Sequence, residues 1–500
     1  MHNILESGAF ELAEQIKSGE LKSLDVVQAH IDEILKWNPE LNALVEDRFT
    51  DAISEARACD RKISELNNTD PAAITKLPPL FGVPFTIKEM ISVEGFRHTL
   101  GSVHRKENIA KQDATVVERL KKAGAILMGT TNVPELGFWF ECENPVYGRT
   151  NNPYDLKRTA GGSTGGEAAL IGAGASPFGL GSDVGGSIRM PAGFCGIFGH
   201  KPSAKIIPMT GHFPIYQDNA AFWKGSAYPL TVIGPLARRA KDLYPLMQLL
   251  IGIDNRDPET RGDFKLKPRV KSWVGKTVWM LPSPRMAGAA LTDGEISDSV
   301  RIAARYFEAM GADLKEMRSD IFKDALGMWF AAMTRSKVRS FTDTMTSGQD
   351  LSYARELLKS VMGRGQYTLP ALAASALEVF GRKNETKVDG KRRSTLAALE
   401  DLQKELTGLL GEDAILILPN HPRVAPRHST TLLRPFDYIY TGIFNALEFP
   451  STACTMGLDE GIPVAIQIVS GPDQDHFSLS AAEVLEDSFG GWKRPEFPSN

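Results

Sequence analysis

The sequence predicts an α/β fold: a large α/β/α domain in which helices cover a central mixed, mostly parallel, twisted sheet. Short apolar runs bounded by Gly or Pro recur along the chain, and stretches with helical spacing of apolar residues separate them. The 500 residues are 42% hydrophobic and 24% charged, which is the composition of a globular protein with a large core.

Residues 8–65 predict two or three helices that flank the sheet. In the clearest of them Ser23 stands where a capping residue is expected, because a serine oxygen can accept a hydrogen bond from a free amide at a helix start. The apolar residues that share one face of this helix are Val27, Ile31, Ile34 and Leu35.

The predicted strands lie further along the chain. The segments "FGVPFTIKEM" (81–90) and "AILMGTTN" (125–132) read as strands, with a helix between them that carries Val116, Val117 and Leu120. Three later segments are also strand-like: "KTVWMLP" (276–282), "AILILP" (414–419) and "PVAIQIV" (463–469). Because strands joined through helices pair in parallel, this alternation favours a mostly parallel sheet.

The domain organisation is expected to be simple. No long linker rich in Pro, Gly or Ser divides the chain, so we expect one domain over residues 1–500. Residues 320–400 differ in character because they are helical throughout and have strands on either side. They are a candidate helical insertion or subdomain.

Composition and charge exclude several classes of protein. A net charge of −4 leaves no basic footprint for nucleic acid, and the four cysteines are too scattered to predict disulfides or a zinc site. We therefore predict no metal, no organic cofactor and no nucleic-acid partner. The acidic N-terminus does not resemble an export signal, and no stretch is long enough to span a membrane, so the expected location is cytoplasmic.

The stretch "AGGSTGGEAAL" (160–170) places Ser163 in a G-x-S-x-G pattern, which is typical of a nucleophile elbow. An elbow requires a strand that leads into the serine, whereas "NPYDLKRTAGG" (152–162) is polar and loop-like. A phosphate-binding Walker loop requires a lysine before its Ser or Thr, and no lysine occurs between Arg158 and His200. Neither interpretation accounts for this stretch.

A second cluster, "GLGSDVGGSIRMPAGFCG" (179–196), contains another Gly-flanked serine, Ser187, and Lys88 ends the apolar strand upstream. With these residues the sequence resembles the amidase signature family, whose members cut carboxylic amides with a Ser-Ser-Lys triad. The resemblance covers nearly the whole chain, from the N-terminal helices to "FNALEFPSTACTMGLDEGIPVAIQIV" (444–469). Within the family, "GSDVGGSIRMPAGFCGIFGHKPS", "YTLPALA" and "FGGW" look most like the fatty-acid amide hydrolase branch.

The resemblance implies a role for each member of the triad. Ser187 matches the acylated nucleophile, Ser163 matches the middle serine that follows a cis peptide bond, and Lys88 matches the terminal base. A free lysine, with a pKa of about 10.4, is protonated at pH 7, but burial can lower that value by about 3–5 units. Lys88 in an apolar strand is suited to such a shift.

The resemblance also assigns residues around the triad. It implies that backbone N–H groups stabilise the oxyanion, in the segment Val184, Gly185, Gly186 and Ser187. It implies that Gly137 contributes to the substrate-binding wall, where mammalian fatty-acid amide hydrolases have a larger residue. We expect the residues that support both loops to be Thr164, Asp183 and Arg189, although Asp183 and Arg189 can equally be a structural ion pair.

The substrate is expected to be a small carboxylic amide with a hydrophobic acyl or aryl part, and esters can be cleaved at the same site. Two alternatives remain open: a glutamine-dependent amidotransferase A-type subunit, which releases ammonia for a partner, and a catalytically silent relative that binds lipid or protein. A homodimer is compatible with the sequence.

The helix expected over residues 367–380 precedes a basic segment at 381–393, and together they suggest peripheral contact with an anionic membrane. A core-packed helix followed by a solvated loop explains the same pattern. The residues expected on the apolar face of this helix are Leu369, Leu372, Ala373, Ala376, Leu377 and Phe380.

Overall fold

The protein contains one large mixed sheet, seen in a computed structural model that describes residues 4–213, 230–333, 341–362, 365–382 and 385–498. The strands of the sheet within these ranges are β1 (Leu44–Asp47), β2 (Pro84–Lys88), β3 (Ile126–Thr131), β6 (Phe178–Asp183), β7 (Phe198–Lys201), β8 (Val232–Ala237), β9 (Thr277–Met280), β10 (Asp313–Glu316), β11 (Ala414–Pro419), β12 (Ser451–Asp459) and β13 (Ile462–Ser470). They lie in the order β1-β3-β2-β6-β8-β7-β12-β13-β11-β9-β10. A separate two-stranded sheet pairs β4 (Glu143–Asn144) with β5 (Gly148–Arg149).

Helices cover the sheet. Those before the middle of the chain are α1 (Ala9–Ser18), α2 (Ser23–Leu41), α3 (Phe49–Thr69), α4 (Thr115–Lys122), α5 (Gly165–Gly172), α6 (Arg189–Phe194) and α7 (Ala240–Leu250). Those after it are α8 (Gly294–Ala309), α9 (Ala325–Met333), α10 (Phe341–Thr346), α11 (Tyr353–Val361), α12 (Leu369–Arg382), α13 (Glu385–Leu410), α14 (Ile439–Ala446) and α15 (Asp475–Phe489). The α/β class and all five predicted strands are therefore confirmed.

Both faces of the sheet are buried, which explains why its strands appear as continuous apolar runs. On β3, Leu127 belongs to one apolar cluster, while its neighbours Ile126 and Met128 belong to another on the opposite face. On β11, Ile415 and Leu416 face opposite clusters in the same way. Because successive side chains of a strand point to opposite faces, a sheet covered on both sides selects apolar residues at every position.

The prediction that the sheet is mostly parallel is wrong. Among the described residues, four strand pairs are parallel, β2–β3, β2–β6, β9–β10 and β9–β11, and they lie toward the two ends of the sheet. The six other pairs are antiparallel and include the whole centre. The hairpin of β12 and β13 has no crossover helix, since it turns through Glu460 and Gly461, both with positive φ.

The N-terminal flank is helical as predicted, with two differences. Ser23 does not cap α2: it is the first helical residue, and its hydroxyl donates to the Gly82 carbonyl at 2.8 Å, which ties the helix to the sheet instead. Leu35 is not part of the buried face, since it is 58% exposed, whereas Val27, Ile31 and Ile34 are buried. Strand β1, which interrupts the flank, was not predicted.

Every element that the structure describes between residues 320 and 400 is a helix, as expected, with turns and loops between the helices. Whether this stretch forms a separate subdomain stays a prediction. The expected apolar face of α12 is only partly right. Leu372 is buried, but Leu369 is 48% exposed, and Ala371 and Ser375 occupy the buried face instead. The side chains of Leu377 and Phe380 lie outside the described part of the chain.

Candidate active site

Lys88 is the last residue of β2, a strand that pairs in parallel with β3 and β6 and is buried along its length. Its ammonium nitrogen therefore lies at the carboxyl edge of the sheet with no exposure to solvent. Three hydroxyl oxygens surround Nζ: Ser163 Oγ at 2.6 Å, Ser182 Oγ at 3.0 Å and Thr164 Oγ1 at 3.2 Å.

The surroundings of Lys88 disfavour its charged form. Burial lowers the pKa of Lys88 to about 7, while the nearby Asp183 and Cys142 act in the opposite direction and only partly offset that effect. A large fraction of the amine is therefore neutral near pH 7, and a neutral amine can accept a proton from a hydroxyl that touches it.

Ser163 precedes α5, and the peptide bond between Gly162 and Ser163 is cis, as the family resemblance implies. Gly162 packs against the chain at Trp139, where a Cβ would lie 2.5 Å from the carbonyl oxygen. This close approach holds the turn so that the Ser163 hydroxyl, only 3% exposed, meets Lys88. The segment that leads into Ser163 is a loop, which agrees with the rejection of the elbow.

Ser187 lies in the loop that joins β6 to α6, and its side chain is 7% exposed. The Thr164 N–H donates to the Ser187 carbonyl at 3.2 Å, so the two Gly-flanked loops run side by side. The structure thus brings Lys88, Ser163 and Ser187, which are far apart in the sequence, to one edge of the sheet.

The loop over residues 183–189 is held from inside by the carboxylate of Asp183. Arg189 donates to both of its oxygens, from Nε at 3.1 Å and from Nη2 at 3.0 Å, and both side chains are fully buried. Asn445 Nδ2 adds a hydrogen bond at 2.9 Å, and Gln467 Oε1 accepts from Arg189 at 3.0 Å. Burial alone would raise the pKa of Asp183, but Arg189 outweighs it and holds that pKa well below the usual range.

The backbone N–H groups of the loop differ in their availability. The Gly186 N–H donates to Asp183 Oδ1 at 2.7 Å and is therefore occupied, which corrects its expected place among the oxyanion donors. Within the described ranges, the N–H groups of Val184, Gly185 and Ser187 donate to no protein acceptor. Three donors next to the nucleophile candidate are left for a ligand.

We predict that Gly186→Ala destabilises the protein by about 3 kcal/mol or more. Gly186 has a φ of +119°, and an added Cβ would lie 2.0 Å from Thr441 Oγ1, so neither the backbone nor its neighbour accommodates a methyl group. Thermal unfolding of this variant beside Gly457→Ala measures the effect of crowding. Gly457 has a φ of +114° but no atom within 4 Å of its Cβ position. Equal losses in the two variants would contradict the prediction.

Gly137 lies close to Ser163, as the resemblance implied for a residue of the substrate-binding wall. Its φ is +69°, and a Cβ there would meet Met90 Sδ at 2.5 Å and Ser163 Oγ at 3.6 Å. Met90 therefore fills the space that a larger side chain would take. Glu135, two residues earlier, accepts a hydrogen bond from the backbone N–H of Thr368 at 2.7 Å. This bond attaches the wall to the start of α12.

Several other polar groups are buried without lying at this edge. His200 contacts Asp475 at 3.1 Å and Thr452 at 2.9 Å, and all three residues are fully buried. No group of three or more His, Cys, Asp or Glu side chains in the described ranges is arranged to hold a metal ion. No helix among the described residues is long and apolar enough to cross a bilayer.

The sequence analysis assigned no role to four residues of the site. Ser182 contacts Lys88 directly, and the signals for it were its place one residue before Asp183 on β6 and a hydroxyl where the family resemblance implies Thr. Thr441, Asn445 and Gln467 come from α14 and β13, more than 250 positions after the loop that they support, and no local pattern marks them.

A mixed α/β sheet that holds a buried, partly neutral lysine against a serine hydroxyl has the arrangement that serine activation by a base requires. Residues 25–479 match the model of the family described as Amidase. The chain belongs to this family, and it is an enzyme that hydrolyses carboxylic amide bonds.

Comparisons with individual proteins agree with this family assignment. Fatty-acid amide hydrolase 2 of Homo sapiens is 38% identical over 98% of this chain and 90% of its own length. The A-type subunit of the glutamyl-tRNA(Gln) amidotransferase of Carboxydothermus hydrogenoformans is 29% identical over 96% of each chain. The crystal structure of a bacterial aryl acylamidase superposes with a TM-score of 0.76 at 24% identity, over 97% of this chain and 96% of that one, which supports the fold.

Proposed function

We propose that Ser187 is the acylated nucleophile, Ser163 the proton relay and Lys88 the base in the hydrolysis of amides with a hydrophobic acyl or aryl part. The observation that carries this proposal is the 2.6 Å contact between the buried Lys88 Nζ and Ser163 Oγ. It joins a base whose pKa lies near 7 to a serine that adjoins the loop of Ser187.

In the proposed reaction, neutral Lys88 takes the proton of Ser163 while Ser163 takes that of Ser187. The Ser187 oxygen then forms a bond to the amide carbon, and the carbonyl electron pair moves to oxygen. The relay reverses to deliver the proton to the amide nitrogen, the carbon–nitrogen bond breaks, and the amine leaves. Water attacks the acyl-enzyme by the same proton path, which releases the carboxylic acid and restores Ser187.

The negative oxygen of the tetrahedral intermediate is assigned to the N–H groups of Val184, Gly185 and Ser187. These donors are fixed before the substrate arrives, because the Asp183 carboxylate holds the loop through Gly186, Ile188 and Arg189. A preorganised donor of this kind typically contributes about 3–4 kcal/mol to the stabilisation of the transition state.

The proposed preference for a hydrophobic substrate rests on the surroundings of the loop and on the relatives. The rings of Trp329 and Tyr438 flank Gly185, where a Cβ would lie 3.5 Å and 3.4 Å from them, and Phe138 packs on Phe341 with ring centroids 4.9 Å apart. Aromatic side chains beside a reactive centre favour apolar groups. The relative at 38% identity is named for fatty-acid amides.

Labelling with a fluorophosphonate probe, followed by peptide mass spectrometry, tests the assignment. We expect the adduct on Ser187, since its activated oxygen displaces fluoride from the probe and is phosphonylated. An adduct on Ser163, or an unlabelled protein that still cleaves amides, would refute the proposed roles. Hydrolysis rates for alkyl, aryl and long-chain fatty anilides then rank the substrates.

Glutamine belongs in the same substrate panel, because one relative of 29% identity belongs to an amidotransferase. We expect the hydrophobic anilides to be cleaved with a kcat/KM at least about tenfold higher than that of glutamine, since an apolar contact of a methylene group or two is worth roughly 1–3 kcal/mol. A preference for glutamine would favour the amidotransferase alternative.

The pH dependence follows from Lys88. Because its pKa is lowered to about 7 and the neutral form is the base, kcat/KM should rise with pH through an apparent pKa near 7 and level off above about pH 8. Below pH 6 the neutral fraction falls about tenfold per pH unit. Initial rates between pH 5.5 and 9 measure this limb, and a profile that is flat between pH 6 and 8 would contradict the assigned base.

The cytoplasmic location is also part of the proposal, supported by four free cysteines, three of them buried, as in proteins of reducing compartments. Peripheral membrane contact and a homodimer are proposed only as compatible with the chain. Leu369 at the start of α12 is half exposed, which is consistent with contact to an apolar surface.

A further inference from the structure

We infer that Thr441 and Trp329 are positioning residues for the reaction, because they hold the carbonyl groups of Gly185 and Val184 away from the oxyanion. Trp329 thereby aims the Gly185 N–H at the oxyanion, and Thr441 fixes the next peptide plane, whose N–H Asp183 holds. The inference rests on the proposed function of the 183–187 loop. Neither residue is assigned to touch the substrate's reacting atoms.

The carbonyls of the loop are fixed by donors outside it. Trp329 Nε1 donates to the Val184 carbonyl at 3.0 Å, and Thr441 Oγ1 lies 2.9 Å from the Gly185 carbonyl. Since the two ends of a peptide plane point in opposite directions, a donor that fixes one carbonyl also fixes the direction of the next N–H. Trp329 thereby sets the N–H of Gly185, and Thr441 sets the N–H of Gly186, which donates to Asp183 and not to the oxyanion.

The hydroxyl of Thr441 has one hydrogen and two neighbouring acceptors, Gly185 at 2.9 Å and Tyr438 at 2.8 Å. The Tyr438 carbonyl already accepts the Gly442 N–H at 2.9 Å, whereas among the described residues the Gly185 carbonyl has no other donor. A buried carbonyl without a partner is costly, so the hydrogen is needed at Gly185.

Packing reinforces the same arrangement. Thr441 Oγ1 fills the space beside Gly186, and the Trp329 ring lies against Gly185. Trp329 is on α9 and Thr441 on α14, and these helices share one buried apolar cluster. The loop is therefore held between Trp329 and Thr441, which lie more than 140 positions after it in the sequence.

The test compares Thr441→Val, Thr441→Ser and Trp329→Phe, with decanoyl 4-nitroanilide as substrate and phenylboronic acid as an inhibitor whose adduct places an oxygen at the oxyanion position. Valine keeps the shape of threonine and loses the donor, serine restores the donor, and phenylalanine keeps a ring without the N–H. Trp279→Phe is the matched control, because Trp279 Nε1 also donates to a backbone carbonyl, that of Leu409 at 3.2 Å, away from the loop.

We expect Thr441→Val and Trp329→Phe to lower kcat about tenfold or more, below the roughly 10²–10³-fold loss of a whole donor, with KM within about threefold. The inhibition constant of phenylboronic acid should rise by the same factor as kcat falls. For Thr441→Ser and Trp279→Phe, kcat and the inhibition constant should stay within about threefold of the parent values. The Tm of every folded variant should stay close to that of the parent protein.

Parent-like kcat and boronic acid affinity in folded Thr441→Val overturn the inference, as does a loss confined to KM or one that serine does not restore. If Thr441→Val does not fold, Trp329→Phe against Trp279→Phe decides. Full activity in Ser187→Ala would instead refute the proposed function, so the two failures are distinguishable.

Discussion

Replacement of Ser187 by alanine is expected to lower kcat/KM for an anilide substrate by about 10⁴-fold or more, because the oxygen that forms the acyl-enzyme is lost. The residual rate would come from the oxyanion donors and from substrate binding. Alanine removes one atom from a side chain that is 7% exposed, so the Tm should change little. Kinetics on the purified variant, with fluorophosphonate labelling in parallel, measures the effect.

Ser176→Ala is a suitable control for this variant. Ser176 is also buried, and its hydroxyl donates to the Phe178 carbonyl at 2.9 Å, away from the sheet edge that carries Lys88. It should retain parent-like activity and label normally. If Ser187→Ala kept more than about 1% of the parent activity, Ser187 would not be the nucleophile.

Lys88→Met should lower kcat/KM by about 10³-fold, within the roughly 10²–10⁴-fold range of a lost general base. Methionine has a similar length and is uncharged, so the variant removes the proton acceptor beside Ser163 while it keeps the space filled. The rise of activity with pH near 7 should disappear together with the rate. Labelling of Ser187 should slow in proportion, since its hydroxyl loses the same base.

Lys201→Met provides the matched comparison. Lys201 is a second buried lysine among the described residues; burial lowers its pKa to about 7 as well, and its Nζ donates to the Pro202 carbonyl at 2.8 Å. The variant should keep kcat/KM within about threefold and retain the pH profile. Equal losses in both lysine variants would mean that burial of an amine, rather than contact with Ser163, is what the activity needs.

The parts of the fold that follow local rules were predictable. The strands of Lys88 and of residues 414–419 are buried on both faces, so their apolar runs stood out. The direction of the central strands was not predictable, because a segment that lies between two covering layers has the same composition in a parallel and an antiparallel pair. β1, with four residues and a partly polar pattern, gave no strand signal.

Some parts of the candidate site were likewise predictable from the sequence, and others were not. Lys88, Ser163 and Ser187 were found because Gly-rich loops and a strand-borne lysine are local features that match a family pattern. The availability of individual N–H groups could not be foreseen, since the Gly186 amide is occupied by a side chain three residues earlier and the carbonyls of Val184 and Gly185 by residues in distant helices. Such contacts exist only after the helices have packed.

The hydrogen bonds by which Asp183 holds the loop over residues 183–189 have a consequence for protein engineering. The shape of the segment from Val184 to Ser187 depends on the Asp183 carboxylate, which Arg189 and Asn445 hold, and on the donors of Trp329 and Thr441. If this short segment were grafted alone into an unrelated scaffold, it would therefore not adopt its present backbone conformation. A transplant that succeeds has to include Asp183 with the side chains that hold it, and donors equivalent to Trp329 and Thr441.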